Sequence, residues 1–586
     1  MLKLAKYLKP FIPLIVLAVA VLVLQAFCDL SLPNLMSHLV NGILGGDAAE
    51  FSGLSNSGVI GLGLRMLAVA LIGGAAAVTV NFLSTRIAAG IARDLRSAIF
   101  QKVESFSSRE FDTFSTASLI TRCTNDVNQV QQVFVMGIRM LCYAPIVGIG
   151  GIIMAVQKAS AMSWIIVLAV ILLISLVSIL ISVVMPKFRI IQGLIDRLNR
   201  IARETLNGLM VIRAFSAQDH EKKRFDDVNR DLANATLFVN RIMIVQMPGM
   251  QFIMNSAILL IIWIGARRIA SSSMEVGDMM AFIQYTMQII FSFLFFSMMF
   301  VILPRTAVSA DRIARVLETE SSIRDSGPPE DKGPSERRSG LSVEFRDVTF
   351  RYNDAAENAL SAISFTAVSG KTTAIIGPTG SGKSTIVNLI LRFYDVTGGS
   401  IAVNGIDIRE LPQKDLRLRI GYVPQKNMLL SGPVSFNLRY GKKDAAQAEI
   451  REGAEIAQAL EFIEKRPGGF ESALSQGAVN ISGGQKQRLS IARALVRDAE
   501  LLIFDDSFSA LDFATDARLR KSLDERRKEV TKIIVAQRVG TIRQADKIIV
   551  LEKGRIAGMG THGELMDTCR EYREIAESQF AGEAVL

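Results

Sequence analysis

The sequence contains few residues of the types that build metal centres and disulfide scaffolds. Its 586 residues include three histidines and four cysteines, and the cysteines form no CxxC pair. We therefore expect reduced structural thiols and neither a disulfide framework nor a metal site. Charged residues are also scarce, at 21%, whereas half of the chain is hydrophobic and the mean hydropathy is +0.32. This composition excludes disordered and collagen-like chains and is too apolar for an ordinary soluble enzyme.

The net charge of +10 is unevenly distributed along the chain. Residues 1–320 carry 28 Lys and Arg against 20 Asp and Glu, whereas the remainder carries 38 against 36. The positive excess therefore lies in the apolar half, where it is better explained by membrane topology than by binding to nucleic acid.

Six apolar runs are long enough to cross ~30 Å of hydrocarbon. They lie near residues 11–32, 58–85, 130–157, 162–186, 243–266 and 279–303. Since the basic residues concentrate at the amino terminus, after the sixth run and in segments 86–126 and 187–241, both termini and these segments are predicted to be cytoplasmic. The first run reads as a membrane span and not as a cleavable signal.

Segments 86–126 and 187–241 have apolar residues at helical spacing, so we expect the spanning helices to continue well beyond the bilayer. Two stretches inside the apolar half, 242–254 and 279–300, are rich in Met and Phe. Such side chains can line an adaptable apolar binding site, and they can equally pack between helices or face lipid.

The composition changes at residues 321–340, which are rich in Pro, Gly and Ser and are predicted to be a linker. Behind it, short β-rich segments alternate with helical ones, the pattern of an α/β domain with a largely parallel sheet. The predicted organisation is a six-helix membrane domain over 1–320, the linker over 321–340, and an α/β domain over 341–586.

The strongest motif is a glycine-rich loop that follows the strand TTAII and precedes a helical pattern, the context of a Walker A motif. Its glycines allow backbone N–H groups to wrap phosphates. Lys383 is predicted to neutralise the β- and γ-phosphates, and Ser384 to bind Mg²⁺. The α/β domain over 341–586 is therefore predicted to be a P-loop nucleotide-binding domain. The predicted ATP-binding residues of this loop are Gly377, Pro378, Thr379, Gly380, Ser381, Gly382, Lys383, Ser384 and Thr385.

Two further motifs follow at a fixed distance. The sequence ISGGQ, which includes Ser482, Gly483, Gly484 and Gln485, stands before a helical segment. The apolar segment LLIF then ends in Asp505 and Asp506, and a carboxylate at the end of such a strand suits a Walker B residue that holds Mg²⁺ through water.

The order of these motifs resembles that of ATP-binding cassette (ABC) transporters, and six spans ahead of one cassette resemble an exporter half-transporter of the multidrug or lipid type. The resemblance implies that Tyr352 stacks on adenine and that Gln425, with Ser384 and Asp505, contacts Mg²⁺. It also implies that residues 482–485 close on ATP held by a second half-transporter. Ser509 and Asp512 match the D-loop, and coupling elbows are expected near 107–116 and 212–219.

Three positions depart from the family pattern. Asp506 stands where the family usually has the Glu that activates water, Gln537 where it has a switch His, and Gln476 where it has a Glu before the signature. Shortening a carboxylate by one methylene withdraws it by ~1.5 Å, and a ~1 Å misplacement can cost ~10²-fold in rate. A neutral amide cannot supply the charge or proton of an imidazole.

Because the motifs that bind nucleotide are intact and only the two hydrolytic positions are changed, the chain is interpreted as the degenerate-site subunit of a heterodimeric exporter. Its partner is expected to carry the catalytic Glu and His, and the substrate to be an amphipathic drug- or lipid-like molecule. The predicted location is the bacterial plasma membrane. The alternatives are a homodimer with weak ATPase activity and an ATP-gated regulatory or channel-like subunit.

Overall fold

The computed structural model describes residues 2–44, 56–325, 340–353 and 355–583. The chain divides into two compact units, Met1–Glu104 with Ala117–Thr319, and Ser105–Thr116 with Glu320–Leu586. The predicted linker 321–340 falls largely on residues 326–339, which lie outside the described residues. The predicted boundaries at 320 and 340 therefore stay predictions.

The first 320 residues are almost entirely helical where they are described. The helices are α1 Ile12–Leu44, α2 Asn56–Glu104, α3 Ser108–Phe114, α4 Thr116–Thr121, α5 Val127–Ile138, α6 Ala144–Ala159, α7 Ser163–Asn207, α8 Leu209–Ala214, α9 Gln218–Ile244, α10 Gln246–Ala270 and α11 Val276–Glu318. Single π-helical turns at Arg122–Asp126 and Arg139–Tyr143 flank α5. Of these helices, α3 belongs to the second unit.

Five helical stretches of the described chain are long and apolar enough to cross a membrane, where the sequence predicts six spans. The difference lies in the stretch Thr116–Asn207, which is 92 residues long and at about 1.5 Å per residue is several times the ~30 Å of hydrocarbon. It contains the third predicted span, 130–157, which covers most of α5 and α6 and the π-helical turn between them, and the fourth, 162–186, which lies almost wholly in α7. Between them the chain leaves helical geometry at Ala159, with φ −153° and ψ 71°, and makes a 3₁₀ turn.

The predicted continuation of the spans into the cytoplasmic segments is confirmed. Helix α2 has 49 residues and α7 has 45, each more than twice the length that ~30 Å of hydrocarbon requires. The helices continue into these segments because apolar residues keep the 3.6-residue period past the end of the hydrophobic run.

Polar side chains inside the spans bond to neighbouring helices. Pro33 lies within α1 and has no N–H, so the carbonyl of Asp29 loses its helical donor. Gln288 of α11 donates to this carbonyl at 3.1 Å, and Tyr285 donates to the carbonyl of Leu30 at 2.9 Å. The Asp29 carboxylate accepts from Tyr143 at 2.6 Å. Side chains of α11 therefore satisfy the backbone that the proline exposes, as an apolar surrounding demands.

The second unit contains two main sheets. Its strands are β1 Val343–Phe350, β2 Leu360–Ala367, β3 Thr372–Ile376, β4 Gly398–Val403, β5 Ile406–Asp407, β6 Ile420–Val423, β7 Gly432–Pro433, β8 Ala473–Leu474, β9 Leu501–Asp505, β10 Thr531–Val535, β11 Lys547–Glu552 and β12 Arg555–Gly560. Its further helices are α12 Lys383–Ile390, α13 Gln413–Leu418, α14 Val434–Arg439, α15 Gln447–Ile456, α16 Leu460–Glu464, α17 Gly483–Leu495, α18 Phe513–Arg526, α19 Val539–Ile542, α20 His562–Thr568 and α21 Arg570–Glu583.

The larger sheet has the order β12-β11-β3-β10-β9-β6, with an antiparallel strand only at the β12 edge. Strands β9 and β10 are buried along their whole length, which explains the consecutive apolar residues LLIF in β9 and IIV in β10. The α/β fold with a largely parallel sheet is confirmed. Because parallel strands end at the same sheet edge, the segments that follow β3, β10, β9 and β6 meet there.

Candidate functional site

The glycine-rich loop connects β3 to the first residue of α12. Gly382 has φ +100°, and a Cβ on it would lie 2.6 Å from Cδ2 of Leu360 and 2.9 Å from the carbonyl oxygen of Ala359. The residue must therefore be glycine for conformation and for space. The loop leads directly into the amino terminus of α12, whose free N–H groups favour an anion.

Lys383 is the first residue of α12 and is only 9% exposed. Its Nζ donates to the carbonyl oxygens of Gly377 and Pro378, both at 2.8 Å. Burial lowers the pKa of the Lys383 ammonium, and the charges of Asp506 and Asp505 act in the opposite direction. The loop thus encloses a positive charge, for which phosphate oxygens are the matching ligand.

Ser381 provides an independent test of whether phosphate fits this loop. The side chain is 2% exposed, and its Oγ has no hydrogen-bond partner in the described part of the chain. Since buried hydroxyls are nearly always bonded, this atom calls for an external acceptor or donor. A phosphate oxygen in the loop would satisfy it, so the loop fits ATP as substrate.

Asp505 ends β9 and is 3% exposed. Its Oδ1 accepts a hydrogen bond from Ser384 at 3.1 Å. Burial raises the pKa of the Asp505 carboxyl, and the Ser384 hydroxyl acts against this shift. Burying an acid beside a hydroxyl at the mouth of a phosphate loop is unfavourable unless a cation joins them.

The residues fit Mg²⁺ in particular. No group of three or more His, Cys, Asp or Glu side chains that could hold a metal alone occurs among the described residues. Mg²⁺ is usually held by one or two carboxylates together with substrate phosphates and water. Ser384, Asp505 and Gln425 line the same cleft and would hold the ion, which when bound supplies charge neutralisation of the phosphates.

These elements surround a cleft of 330 Å³. Six residues of the loop line it, namely Thr379, Gly380, Gly382, Lys383, Ser384 and Thr385. The other lining residues are Tyr352, Ala359, Gln425, Asp505, Asp506, Val535 and Gln537. The Tyr352 hydroxyl lies 3.1 Å from Oγ1 of Thr385. Its ring contacts those of Phe350 and Tyr394 edge-on, at centroid distances of 4.8 Å and 5.3 Å, so an aromatic cluster fixes the wall on which adenine is predicted to stack.

Asp506 and Gln537 contact each other in the cleft. Gln537 Nε2 donates to Asp506 Oδ2 at 2.9 Å, and Gln425 also hydrogen-bonds the Asp506 carboxylate. Asp506 has φ +48°, a left-handed conformation that Asp adopts more readily than longer side chains. Two neutral amides therefore hold the shortened carboxylate at a strained turn.

The electrostatics of Asp506 follow from its position. Burial raises the pKa of its carboxyl, while the hydrogen bond from Gln425 and the charges of Lys383 and Arg538 act in the opposite direction. Burial outweighs these opposing contributions, so the pKa of the Asp506 carboxyl is raised overall. The amides of Gln425 and Gln537 thus hold the Asp506 carboxylate in place within the cleft.

The signature residues 482–485 are not among the described residues that line this cleft. Ser482 caps α17, accepting from the Gln485 N–H at 3.3 Å, while the Gln485 side chain accepts from the Ser482 N–H at 3.1 Å. Gly483 and Gly484 form the first turn. Gln476 lies upstream and begins a 3₁₀ turn.

The predicted D-loop residues have local contacts. Ser509 donates to the carbonyl of Asp506 at 3.0 Å, and Asp512 caps α18 by accepting from the Thr515 N–H at 3.0 Å. Ser509 thus connects the D-loop directly to the strained turn.

The first predicted elbow, near 107–116, contains α3, which packs within the same unit as the cleft. Glu110 forms a capping box with Ser107 and accepts from the Ser322 N–H at 3.2 Å. Tyr394 donates to Asp112 at 2.7 Å. Near the second predicted elbow, 212–219, α8 ends at Ala214 and α9 begins at Gln218.

Sequence reasoning missed three residues of this neighbourhood. Tyr394 contacts both Tyr352 and α3, Arg538 places its charge near Asp506, and Gln579 bonds the backbone beside Gln537. Their partners are remote in sequence, and none belongs to a motif with characteristic spacing. Only the weak expectation that a basic residue accompanies a buried acid could have pointed to Arg538.

Comparison with known proteins identifies the family. The family model of the ABC transporter transmembrane region matches residues 15–293, and that of the ABC transporter matches residues 360–509. An uncharacterised ABC transporter ATP-binding protein of Mycobacterium tuberculosis is 39% identical over 98% of this chain and 97% of its own length. An ATP-dependent lipid A-core flippase of Pseudomonas aeruginosa is 31% identical over 96% of this chain and 93% of its length.

A solved structure, that of a bacterial Atm1-family ABC exporter with ATP bound, has the same fold. It matches with a TM-score of 0.77 and 24% identity over 96% of this chain and 98% of the other. Family, fold and cleft agree. The chain therefore belongs to the ABC transporter family, as a half-transporter in which a multi-pass transmembrane region is fused to an ATP-binding domain that serves as the transporter's ATPase.

Proposed function

We propose that this half-transporter contributes the slow or inactive ATP site of a heterodimeric exporter in the bacterial cell membrane. The observation that carries the proposal is the 2.9 Å contact between Gln537 and Asp506. Asp506 stands where the family has a water-activating Glu, and Gln537 where it has a switch His. In this contact the Gln537 amide donates to the shorter Asp506 carboxylate. The proposal is supported by Ser384, Asp505 and Gln425, the proposed Mg²⁺ ligands, which all line the cleft.

ATP binding would close this cleft against the signature of a partner half-transporter. The signature of this chain, Ser482 to Gln485, would in turn complete the partner's site, where Glu and His would drive hydrolysis. Closure must be driven by tighter binding of ATP to the closed pair than to the open one. An ATP molecule retained here would hold the two halves together while the partner's site turns over.

The proposed substrate is an amphipathic drug- or lipid-like molecule. An apolar cleft of 300 Å³ in the first unit supports this proposal. Met250 and Phe293, from the two Met- and Phe-rich stretches, line it together with Leu173, Ile174, Val177, Ser178, Ile181, Leu294 and Phe296. A surface of this kind adapts to apolar groups of different shapes.

The test is ATPase activity of the purified chain alone and together with its partner in lipid nanodiscs. Near-background hydrolysis alone and robust hydrolysis by the pair are expected. Glu→Gln at the partner's catalytic position should abolish the activity of the pair, whereas Asp506→Asn in this chain should change it much less. Full activity of the isolated chain would contradict the proposal and favour a homodimer, which the intact signature of this chain would permit.

A further inference from the structure

The last described helix, α21, presents one face to the core of the ATP-binding domain. Tyr572 and Ala576 are fully buried, and the Tyr572 hydroxyl lies 2.8 Å from Nδ1 of His562. Gln579 follows at a spacing of three residues, so it lies on the same face of the helix. The buried residues fix α21 and thereby aim Gln579 inward.

Gln579 bonds the segment Gln537–Val539, which we name the switch segment. Its Nε2 donates to the carbonyl oxygen of Gln537 at 2.8 Å, and its Oε1 accepts from the Val539 N–H at 2.8 Å. Both backbone groups need such a partner, because β10 ends at Val535 and α19 is a four-residue helix whose preceding residue, Arg538, provides no side-chain cap. The side-chain amide of Gln579 thus pairs a backbone carbonyl that follows β10 and a backbone N–H at the start of α19.

The consequence reaches the ATP site through Gln537. Its backbone is held by Gln579, and its side chain donates to Asp506 in the cleft at 2.9 Å. Fixing the main chain on both sides of Arg538 determines the direction in which the Gln537 side chain leaves it. We propose that Gln579 is a positioning residue of the ATP site. Through Gln579, helix α21 positions the side-chain amide of Gln537, which lies 42 residues earlier in the sequence.

The proposal is independent of the partner and of the rate of hydrolysis, because the quantity it predicts is ATP affinity. MgATP is titrated calorimetrically into the nucleotide-free full-length chain in nanodiscs. Gln579→Ala removes two hydrogen bonds and is expected to raise the Kd about tenfold. Gln579→Glu keeps the acceptor for Val539 but loses the donor to Gln537, so an intermediate Kd is expected. Ser578→Ala, which removes an exposed hydroxyl on the same turn, should leave the Kd unchanged.

A double-mutant cycle distinguishes positioning from a general loss of stability. If Gln579 acts through Gln537, then Gln579→Ala should have little further effect on Kd in a Gln537→Ala background. The proposal would be overturned if the effects of Gln579→Ala and Gln537→Ala on Kd multiplied in the double variant. It would also be overturned if Gln579→Ala changed the unfolding temperature but left Kd within twofold of the parent. Should Gln579→Ala fail to fold, the same cycle with Gln579→Glu, which retains size and one hydrogen bond, decides the question.

Discussion

Replacing Asp506 by Glu and Gln537 by His together is expected to raise the ATPase rate of the isolated chain about 10²-fold. The added methylene advances the carboxylate by ~1.5 Å, and a ~1 Å error in placing a catalytic group costs ~10²-fold. Two copies of this chain would supply the remaining parts, because its phosphate loop and its signature are both intact.

The single changes should do much less than the pair. The Asp506 carboxylate already lies 2.9 Å from the Gln537 amide, so Asp506→Glu alone drives the longer side chain into that amide. Glu also adopts the φ of +48° found at this position less readily than Asp. We therefore expect less than a tenfold gain from Asp506→Glu and a strongly non-additive cycle.

The assay is steady-state phosphate release in nanodiscs that contain two copies of the chain. Lys383→Ala in the doubly substituted background is the control, and it should remove the gain. A doubly substituted chain whose rate stays within twofold of the parent would refute the reasoning, because the two substituted side chains would then not be what limits hydrolysis.

Three further outcomes are expected. Lys383→Ala in the parent chain should raise the MgATP Kd by more than about 10²-fold while thermal unfolding changes little, because the charge enclosed by the loop is lost. Gly382→Ala should weaken ATP binding and lower stability by about 1–3 kcal/mol in a denaturation measurement, since Cβ meets backbone at a left-handed position. Burial raises the pKa of the Glu110 carboxyl, but hydrogen bonds from Ser107 and Ser322 lower that pKa overall. The ionised carboxylate therefore stabilises the fold fully above pH 4.5, the ordinary pKa of Glu, and this stabilisation is lost as the pH falls through the lowered pKa. Glu110→Gln should abolish this acid-side loss in unfolding scans, and it should reduce stimulation of the ATPase by transported substrate.

The fold was largely predictable because its signals are local. Long apolar runs, basic cytoplasmic segments and a change to short β-rich segments each follow from the neighbouring sequence. The number of spans differs between sequence and structure at Thr116–Asn207. There only a short 3₁₀ turn at Ser160–Met162 separates the third and fourth predicted spans, so both lie in one helical stretch.

The residues of the cleft that belong to a sequence motif were predictable. Those whose position depends on packing between distant parts of the chain were not. Lys383 follows β3, Asp505 ends β9 and Gln537 follows β10, and the three meet because parallel strands end at one sheet edge. The left-handed turn at Asp506 and the bonds from Gln579 depend on contacts between residues far apart in sequence. No spacing rule encodes such contacts, so they required the structure.

The most direct test of the central claim is the identity of the nucleotide held by this chain after many turnovers of the transporter. A photoreactive ATP analogue labelled on the adenine side can be cross-linked to the working pair, and the label on each half analysed as triphosphate or diphosphate. The account predicts ATP on this chain and ADP on its partner. Equal conversion to ADP on both halves would contradict it, because the contact between Asp506 and Gln537 would then not prevent hydrolysis.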